Sequence, residues 1–227
     1  TKIGGKRMLT IAYLGNGKST NRYHLPFSRK LKDKIKIKTI FSRSEPTWET
    51  FEDIHYTNQL EDLWNDPEIQ LAVITTPSQF HYEYAKLALE HGKNVLVEKP
   101  FAETSAEAKE LFELAKQKDL FIQCYQNRRF DSDFLTVQKV LESGKLGDIL
   151  EIEMHYDYFR PKVPESATEF STVNSYLYGH ACHTVDQVIS YFGEPDDIHY
   201  DVRQLLGTGR MNDYFDLDFY YGAMKVS

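Results

Sequence analysis

The chain has 227 residues, 41% hydrophobic and 27% charged, and carries a formal charge of −7 from 27 basic and 34 acidic residues. That length and balance suit a globular protein of one large or two modest domains, and the acidic surplus excludes the electrostatic footprint of a nucleic-acid binder. Two cysteines, Cys124 and Cys182, are too few for a disulfide framework or a cysteine zinc site, and no apolar run nears the ~18 residues of a membrane helix.

The first residues lack the apolar core of a secretory signal, so a reducing, cytoplasmic setting is expected. Met8 is expected to be the natural start, with Thr1–Arg7 an added tail. Leu9–Leu14 is an apolar run closed by a glycine turn and predicts a buried strand. A helix is expected over Asn21–Leu31 with Pro26 in an early turn, then an alternating strand over Ile35–Phe41. The basic residues from Arg29 to Lys38 are read as a solvated helix end and strand face. Gln59–Asn65 predicts a short helix and Leu71–Thr75 a buried strand. Phe80–Glu90 predicts a helix ended by Gly92, and Asn94–Val97 a strand. Thr104 or Ser105 is expected to cap a helix running to Lys116, and Leu120–Cys124 to form the next strand. Such β-α alternation with short links predicts a doubly wound parallel sheet.

The pattern then changes. Ser132–Glu142 predicts a helix ended by Gly144, and Ile149–Tyr158 alternates over ten residues as a strand covered on one face. Lys162–Thr172 is expected to be a loop, Ser175–Phe192 a helix, and Ile198–Gln204 and Tyr214–Tyr221 strands. The expected fold class is therefore α/β: a doubly wound domain over 8–124, then an α+β domain over 125–227 with an open, mostly antiparallel sheet. With about three strands in that second sheet, below the ~4–6 usual in sheets, a further C-terminal portion is expected to be missing.

Gly15-Asn16-Gly17-Lys18-Ser19-Thr20 follows the first strand and opens a helix. The first glycine permits a tight turn and the second lets a pyrophosphate approach backbone amides, so Gly15, Gly17, Lys18, Ser19 and Thr20 are candidate dinucleotide-binding residues. Thr20 stands where the fingerprint has a third glycine or alanine, which predicts looser helix–sheet packing there. The Gly-Lys-Ser-Thr run resembles the tail of an ATP-binding loop, but that loop's upstream glycine is absent. The second strand ends in Phe41-Ser42-Arg43-Ser44 with no acid before Glu45. Ser42 and Arg43 suit a ribose 2′-phosphate, so NADP is expected in preference to NAD. A solvated Arg43 is the alternative.

Thr75-Thr76-Pro77-Ser78-Gln79-Phe80-His81, followed by Gly92-Lys93-Asn94-Val95-Leu96-Val97-Glu98-Lys99-Pro100, is more specific. With Tyr125-Gln126-Asn127-Arg128-Arg129-Phe130 and the helix around His183, it resembles the Gfo/Idh/MocA family of NAD(P)-dependent oxidoreductases, named for glucose–fructose oxidoreductase and inositol dehydrogenase. The resemblance implies a Rossmann domain, then a domain whose open sheet lines a substrate cleft and often joins homodimers or larger homo-oligomers. It adds Thr75, Thr76, Pro77, His81, Glu98, Lys99 and Gln126 to the cofactor-binding set. Lys99 is implied to lie beside the nicotinamide, where an ammonium can hydrogen-bond a reacting oxygen as charge develops. Pro100 is expected to hold Lys99 extended at a strand end.

In Leu177-Tyr178-Gly179-His180-Ala181-Cys182-His183-Thr184-Val185-Asp186, alignment on the His-x-x-Asp pair makes His183 the family's general acid or base. Gly179 then stands where relatives carry an aspartate, so simple sugar or inositol oxidation cannot be assumed. His180 is a candidate substrate residue, and Asp186 is expected to orient His183 or cap a packing contact. No metal site is expected, because no further ligands join His180, His183 and Asp186. Tyr156, Tyr158 and Arg160 alternate on one strand face, either lining a polar substrate pocket or forming an aromatic interface. The leading expectation is an enzyme moving hydride between NADP(H) or NAD(H) and a carbonyl or secondary alcohol, with Lys99 and His183 as catalytic residues and a small molecule, no nucleic acid and no membrane as partner. Two other readings stay open: a nucleotide-binding sensor or regulatory protein on the same fold, and a pure assembly module.

Overall fold

Leu9–Leu14 (β1) and Leu71–Ile74 (β4) are apolar apart from Thr10 and pair in parallel at the centre of a sheet. Their inner residues touch no water: Ala12, Leu14, Ala72 and Ile74 are fully buried. The computed structural model describes residues 8–159, 175–207 and 209–227. The chain divides into two units, Thr1–Tyr125 and Gln126–Ser227.

In the first unit Ile35–Phe41 (β2), His55–Thr57 (β3), Asn94–Val97 (β5) and Ile122–Cys124 (β6) complete a six-stranded, all-parallel sheet of order β3-β2-β1-β4-β5-β6. This is the doubly wound order whose direction reverses between β1 and β4. β3 is a three-residue polar edge strand that hydrophobic patterning does not predict. β6 is shorter than the Leu120–Cys124 expected. The first crossover runs without a break from a π-helical stretch, Ser19–His24, into α1, Leu25–Lys30, with Pro26 in the first turn of α1 where its missing N–H costs nothing.

Glu61–Trp64 (α2) follows β3. His81–Glu90 (α3) and Ser105–Gln117 (α4) then cover one sheet face, where Ala85, Ala88, Leu89, Leu111 and Ala115 form one buried cluster with β1, β4 and β5. On the other face Ile11, Tyr13, Ile37, Ile40 and Val73 pack with Leu25 of α1. Thr104 closes the start of α4 with a reciprocal capping box: its hydroxyl accepts from the Glu107 amide, and the Glu107 carboxylate accepts from the Thr104 amide.

The second unit begins with Ser132–Glu142 (α5). Its sheet holds four strands, ordered Glu151–Ile152 (β7), Met224–Val226 (β10), Tyr214–Tyr221 (β9) and Asp197–Arg203 (β8). Two of the three pairings are antiparallel and β7–β10 is parallel. The fourth strand, beyond the three expected, arises because Gly222, at φ +61°, turns the chain straight back along β9.

The ten-residue strand expected at Ile149–Tyr158 is not formed: only two residues lie in the ladder, and Met154 makes the last backbone bond to the neighbouring strand, donating to Ser227. The alternation survives as exposure, with Ile152, Met154 and Tyr156 half-buried between exposed Glu153, His155 and Asp157. The helix expected over Ser175–Phe192 opens as a π-helix, Leu177–Ala181, and continues as Cys182–Phe192 (α6). Val185, Val188, Ile189 and Phe192 of α6 pack on Phe219, Leu217 and Val226. The Lys162–Thr172 loop and Arg160 lie outside the described residues.

Replacing Thr104 with alanine removes the oxygen that satisfies an orphan amide of α4. Urea denaturation is expected to show a loss of about 1 kcal/mol for Thr104→Ala, with an unchanged m-value.

Candidate functional site

Strand register in the first unit sets Thr57, Phe41, Leu14, Ile74, Val97 and Cys124 in one row at the C-terminal ends of the strands. Each following residue donates its N–H into that row: Ser42 to Thr57, Gly15 to Phe41, Thr75 to Leu14, Glu98 to Ile74 and Tyr125 to Val97. The segments singled out in the sequence, at residues 15–20, 42–43, 75–77 and 98–99, therefore leave the same sheet edge, beside the β1/β4 switch point where α/β sheets hold ligands.

Gly15 cannot carry a side chain. A Cβ there would lie 2.7 Å from the Thr75 carbonyl carbon and oxygen, and its φ of +120° is one that L-residues rarely adopt. Gly17 differs: a Cβ would meet nothing within 4 Å, so its backbone opens onto free space. Thr20 corrects the expectation of looser packing. It is fully buried, donates to the Gly15 carbonyl at 2.6 Å and shares a 2.8 Å bond with the Thr75 hydroxyl. These two threonines close the loop from inside. Lys18 and Pro77 are exposed at its rim. Among the described residues the buried Asn16 amide nitrogen and Thr76 hydroxyl have no hydrogen-bond partner, a condition that usually marks polar atoms awaiting a ligand or water. Arg43 is exposed at the end of β2, its guanidinium 4.4 Å from the Phe80 ring centre.

Beneath this edge sits a buried carboxylate. Glu98 is 9% exposed, and its Oε1 accepts from Ser19 Oγ at 2.6 Å and from His24 Nε2 at 2.8 Å. Its Oε2 accepts the Lys99 amide at 3.0 Å. Burial alone would raise this carboxyl, but the bonds from His24, Ser19 and Lys99 overcome it and hold the group below the ordinary glutamate value. Tyr125 packs on the His24 ring at 4.4 Å and Tyr13 meets its edge at 5.7 Å. Burial pushes the Tyr13 phenol up to about 12.

His81, expected among the cofactor ligands, is 1% exposed, with Nδ1 2.7 Å from the Pro100 carbonyl and Nε2 2.9 Å from that of Thr76. Burial lowers its pKa against the pull of those two carbonyls. His81 and Glu98 thus hold the frame of the Glu-Lys-Pro turn, and their polar atoms are used within it. The Lys99–Pro100 peptide is cis, and Lys99 is half-buried. Sequence reasoning misses His24. Its only signal is a histidine preceding Leu25 on the sheet-facing side of the crossover.

In the second unit, α6 is stitched to the segment that opens the unit. Gln126 Nε2 donates to the Cys182 carbonyl at 3.3 Å, and Gln187 Nε2 to that of Arg128 at 2.8 Å. Asp186 takes a bidentate pair from Arg129, both contacts at 2.6 Å, so its carboxylate ties α6 to this junction, the packing contact expected of it as the alternative to orienting His183. His183 is buried at 7%, its ring stacked 6.4 Å from that of Tyr156, which also lies 5.2 Å beneath the Arg128 guanidinium. His180 stacks on Tyr176 at 4.8 Å and meets the edge of Tyr158 at 5.0 Å. Tyr156 and Tyr158 thus come together as sequence alternation expects, 5.9 Å apart, but on an extended segment outside the ladder. A Cβ at Gly179 would meet nothing within 4 Å. Among the described residues no helix is long and apolar enough to cross a membrane.

Comparison with known proteins matches residues 9–126 to the oxidoreductase family with an NAD-binding Rossmann fold, and residues 134–226 to the GFO/IDH/MocA C-terminal domain. The chain is 48% identical over 222 residues to the uncharacterized oxidoreductase YhhX of Escherichia coli, covering 96% of this chain and 64% of that protein. It is 33% identical over 230 residues to scyllo-inositol 2-dehydrogenase (NADP(+)) IolW of Bacillus subtilis, covering 100% of this chain and 64% of that protein. A crystal structure of yhhX superposes with a TM-score of 0.91 at 47% identity, covering 96% of this chain and 64% of that one. The chain therefore spans about two-thirds of the length of these relatives.

The lowered Glu98 pKa has a signed consequence. Its stabilisation is complete above the ordinary glutamate pKa of about 4.3 and is lost as pH falls through the lower folded value. Glu98→Gln is expected to cost roughly 1–3 kcal/mol at pH 7, with the gap to wild type closing over the acid range below the ordinary glutamate pKa in denaturation experiments. A gap constant across that range contradicts an ionised Glu98.

Proposed function

The chain belongs to the Gfo/Idh/MocA family of NAD-binding oxidoreductases, and from that premise we propose that its first unit holds NADP(H), in preference to NAD(H), at the β1/β4 switch point. The whole protein would then move a hydride between that cofactor and a carbonyl or secondary alcohol of a small molecule such as a sugar or polyol derivative. The observation that carries this reading is the shared strand edge: Gly15 pressed on Thr75, Gly17 open to free space, unpaired Asn16 and Thr76 atoms, and Lys99 leaving the same edge.

The amides of residues 15–18 and the polar atoms of Asn16 and Thr76 would receive the diphosphate. Ser42 and Arg43 would receive the 2′-phosphate, and Phe80 fixes the Arg43 guanidinium plane by cation–π contact. The cofactor supplies the hydride donor or acceptor. Lys99 would hydrogen-bond the substrate oxygen as charge develops on it. His183 in the second unit would exchange the hydroxyl proton, the role the family resemblance implies. The NADP named for IolW supports the cofactor preference. Cytoplasmic residence and self-association through the second-unit sheet belong to the same proposal.

Gly179 favours one other reading, a sensor that binds the cofactor without turnover, because the chain has no side chain where the family pattern expects a carboxylate and, among the described residues, nothing within 4 Å of a Cβ there. Fluorescence titration of the full-length protein is expected to show tighter binding of NADPH than NADH. Arg43→Ala should weaken NADPH roughly 10-fold or more and change NADH by less than about twofold; NADH binding at least as tightly as NADPH in the wild type contradicts the assignment. In a screen of polyols, sugars and small carbonyls, Lys99→Ala is expected to lose about 100-fold or more of any turnover while still binding NADPH. Cofactor binding with no turnover anywhere in the screen supports the sensor.

A further inference from the structure

The Glu-Lys-Pro turn is held from three directions. The Glu98 amide donates to Ile74 of β4, the Pro100 carbonyl lies against His81 of α3, and the Glu98 side chain reaches the first crossover. The third link differs in kind, because it spans 74 and 79 residues of chain through one carboxylate and decides where the Lys99 amide is fixed. A carboxylate that is ionised only accepts, so each of its contacts must be a donor. His24 therefore presents Nε2–H to Oε1. Tyr125 on its face and Tyr13 at its edge leave the ring little freedom to turn away.

We propose that His24 is a positioning residue for Lys99: with Ser19 it anchors the Glu98 carboxylate whose other oxygen fixes the Lys99 amide, so the helix leaving the phosphate loop sets the lysine's place at the strand edge. The consequence is mechanical. Ser19 follows the loop residues directly, so a shift of that loop moves Glu98 and, through it, Lys99. Burial makes the link stiff, since a buried carboxylate that loses a donor bears the full cost of the missing bond. The inference rests on Lys99 being the reactive lysine, but its test needs no substrate.

The experiment labels lysines of the full-length protein by reductive 13C-methylation and follows the dimethyl-Lys99 resonance, identified by its absence in Lys99→Arg. In His24→Leu this resonance is expected to move toward the range of exposed lysines, while Lys38 and Lys86, paired with carboxylates elsewhere in the unit, stay in place. His24→Gln, which restores a nitrogen donor at the Nε2 position, is expected to return it. If His24→Leu does not fold, Ser19→Ala, which removes the other donor to Oε1, is judged by the same criteria. An unmoved Lys99 resonance overturns the proposal, and so does a common shift of all three lysines, which would mark general loosening. An NADPH titration run alongside separates the two claims: a Lys99 resonance that responds to His24 in a protein that does not bind NADPH leaves the positioning intact and removes the cofactor assignment.

Discussion

A single buried negative charge organises the edge of the first unit. An ionised carboxylate removed from water is tolerated only when donors replace the lost hydration, and Glu98 draws those donors from the crossover after the phosphate loop and from its own successor's amide. Once Ser19, His24 and the Lys99 amide must converge on one group, the loop from Gly15 to Lys18 cannot drift from the Glu-Lys-Pro turn. The threonine pair adds a second tie, since Thr20 and Thr75 join the crossover to the end of β4. Glycine completes the arrangement by subtraction: any side chain at Gly15 would occupy the space of the Thr75 carbonyl.

The second unit follows the same logic with different chemistry. The segment that opens it, Gln126 to Phe130, is bonded to α6 through Gln126, Gln187 and the Arg129–Asp186 pair. Position along α6 is thereby locked to the start of the unit, and with it the place of His183 and its Tyr156 neighbour. Gly179 gives the preceding π-helical stretch no side chain at the position where the family pattern expects a carboxylate, and the rings of Tyr156, Tyr158 and Tyr176 lie against His180 and His183.

The parts of this architecture readable in sequence are those set by local burial. β1, β2, β4 and β5 stand where apolar runs place them, and the Thr104-x-x-Glu107 spacing marks a helix start that the reciprocal bonds realise. Alternation between Ile149 and Tyr158 reports which side chains turn inward, and the observed exposure follows it. It cannot report whether a backbone neighbour exists, and so it overstates the strand. β3 was illegible for the opposite reason, because three polar residues at an edge need a partner but no hydrophobic pattern. At the site, the motifs mark segments that leave one strand edge but not the direction of each polar atom. Thr20, Thr75, His81 and Glu98, expected among the cofactor-binding residues, also bond to one another's segments. Those contacts join residues far apart in sequence, where spacing carries no signal, which is also why His24 passes unnoticed beside Arg22 and Tyr23.

The central claim is that one strand edge both receives a dinucleotide and presents Lys99 to its reactive end. A crystal structure of the full-length protein with NADP+ tests it most directly. The diphosphate should rest on the backbone of residues 15–18 beside Thr76, with the nicotinamide reaching Lys99 and the 2′-phosphate within hydrogen-bond distance of Arg43. A dinucleotide bound elsewhere, or bound there with its nicotinamide directed away from Lys99, would contradict the account.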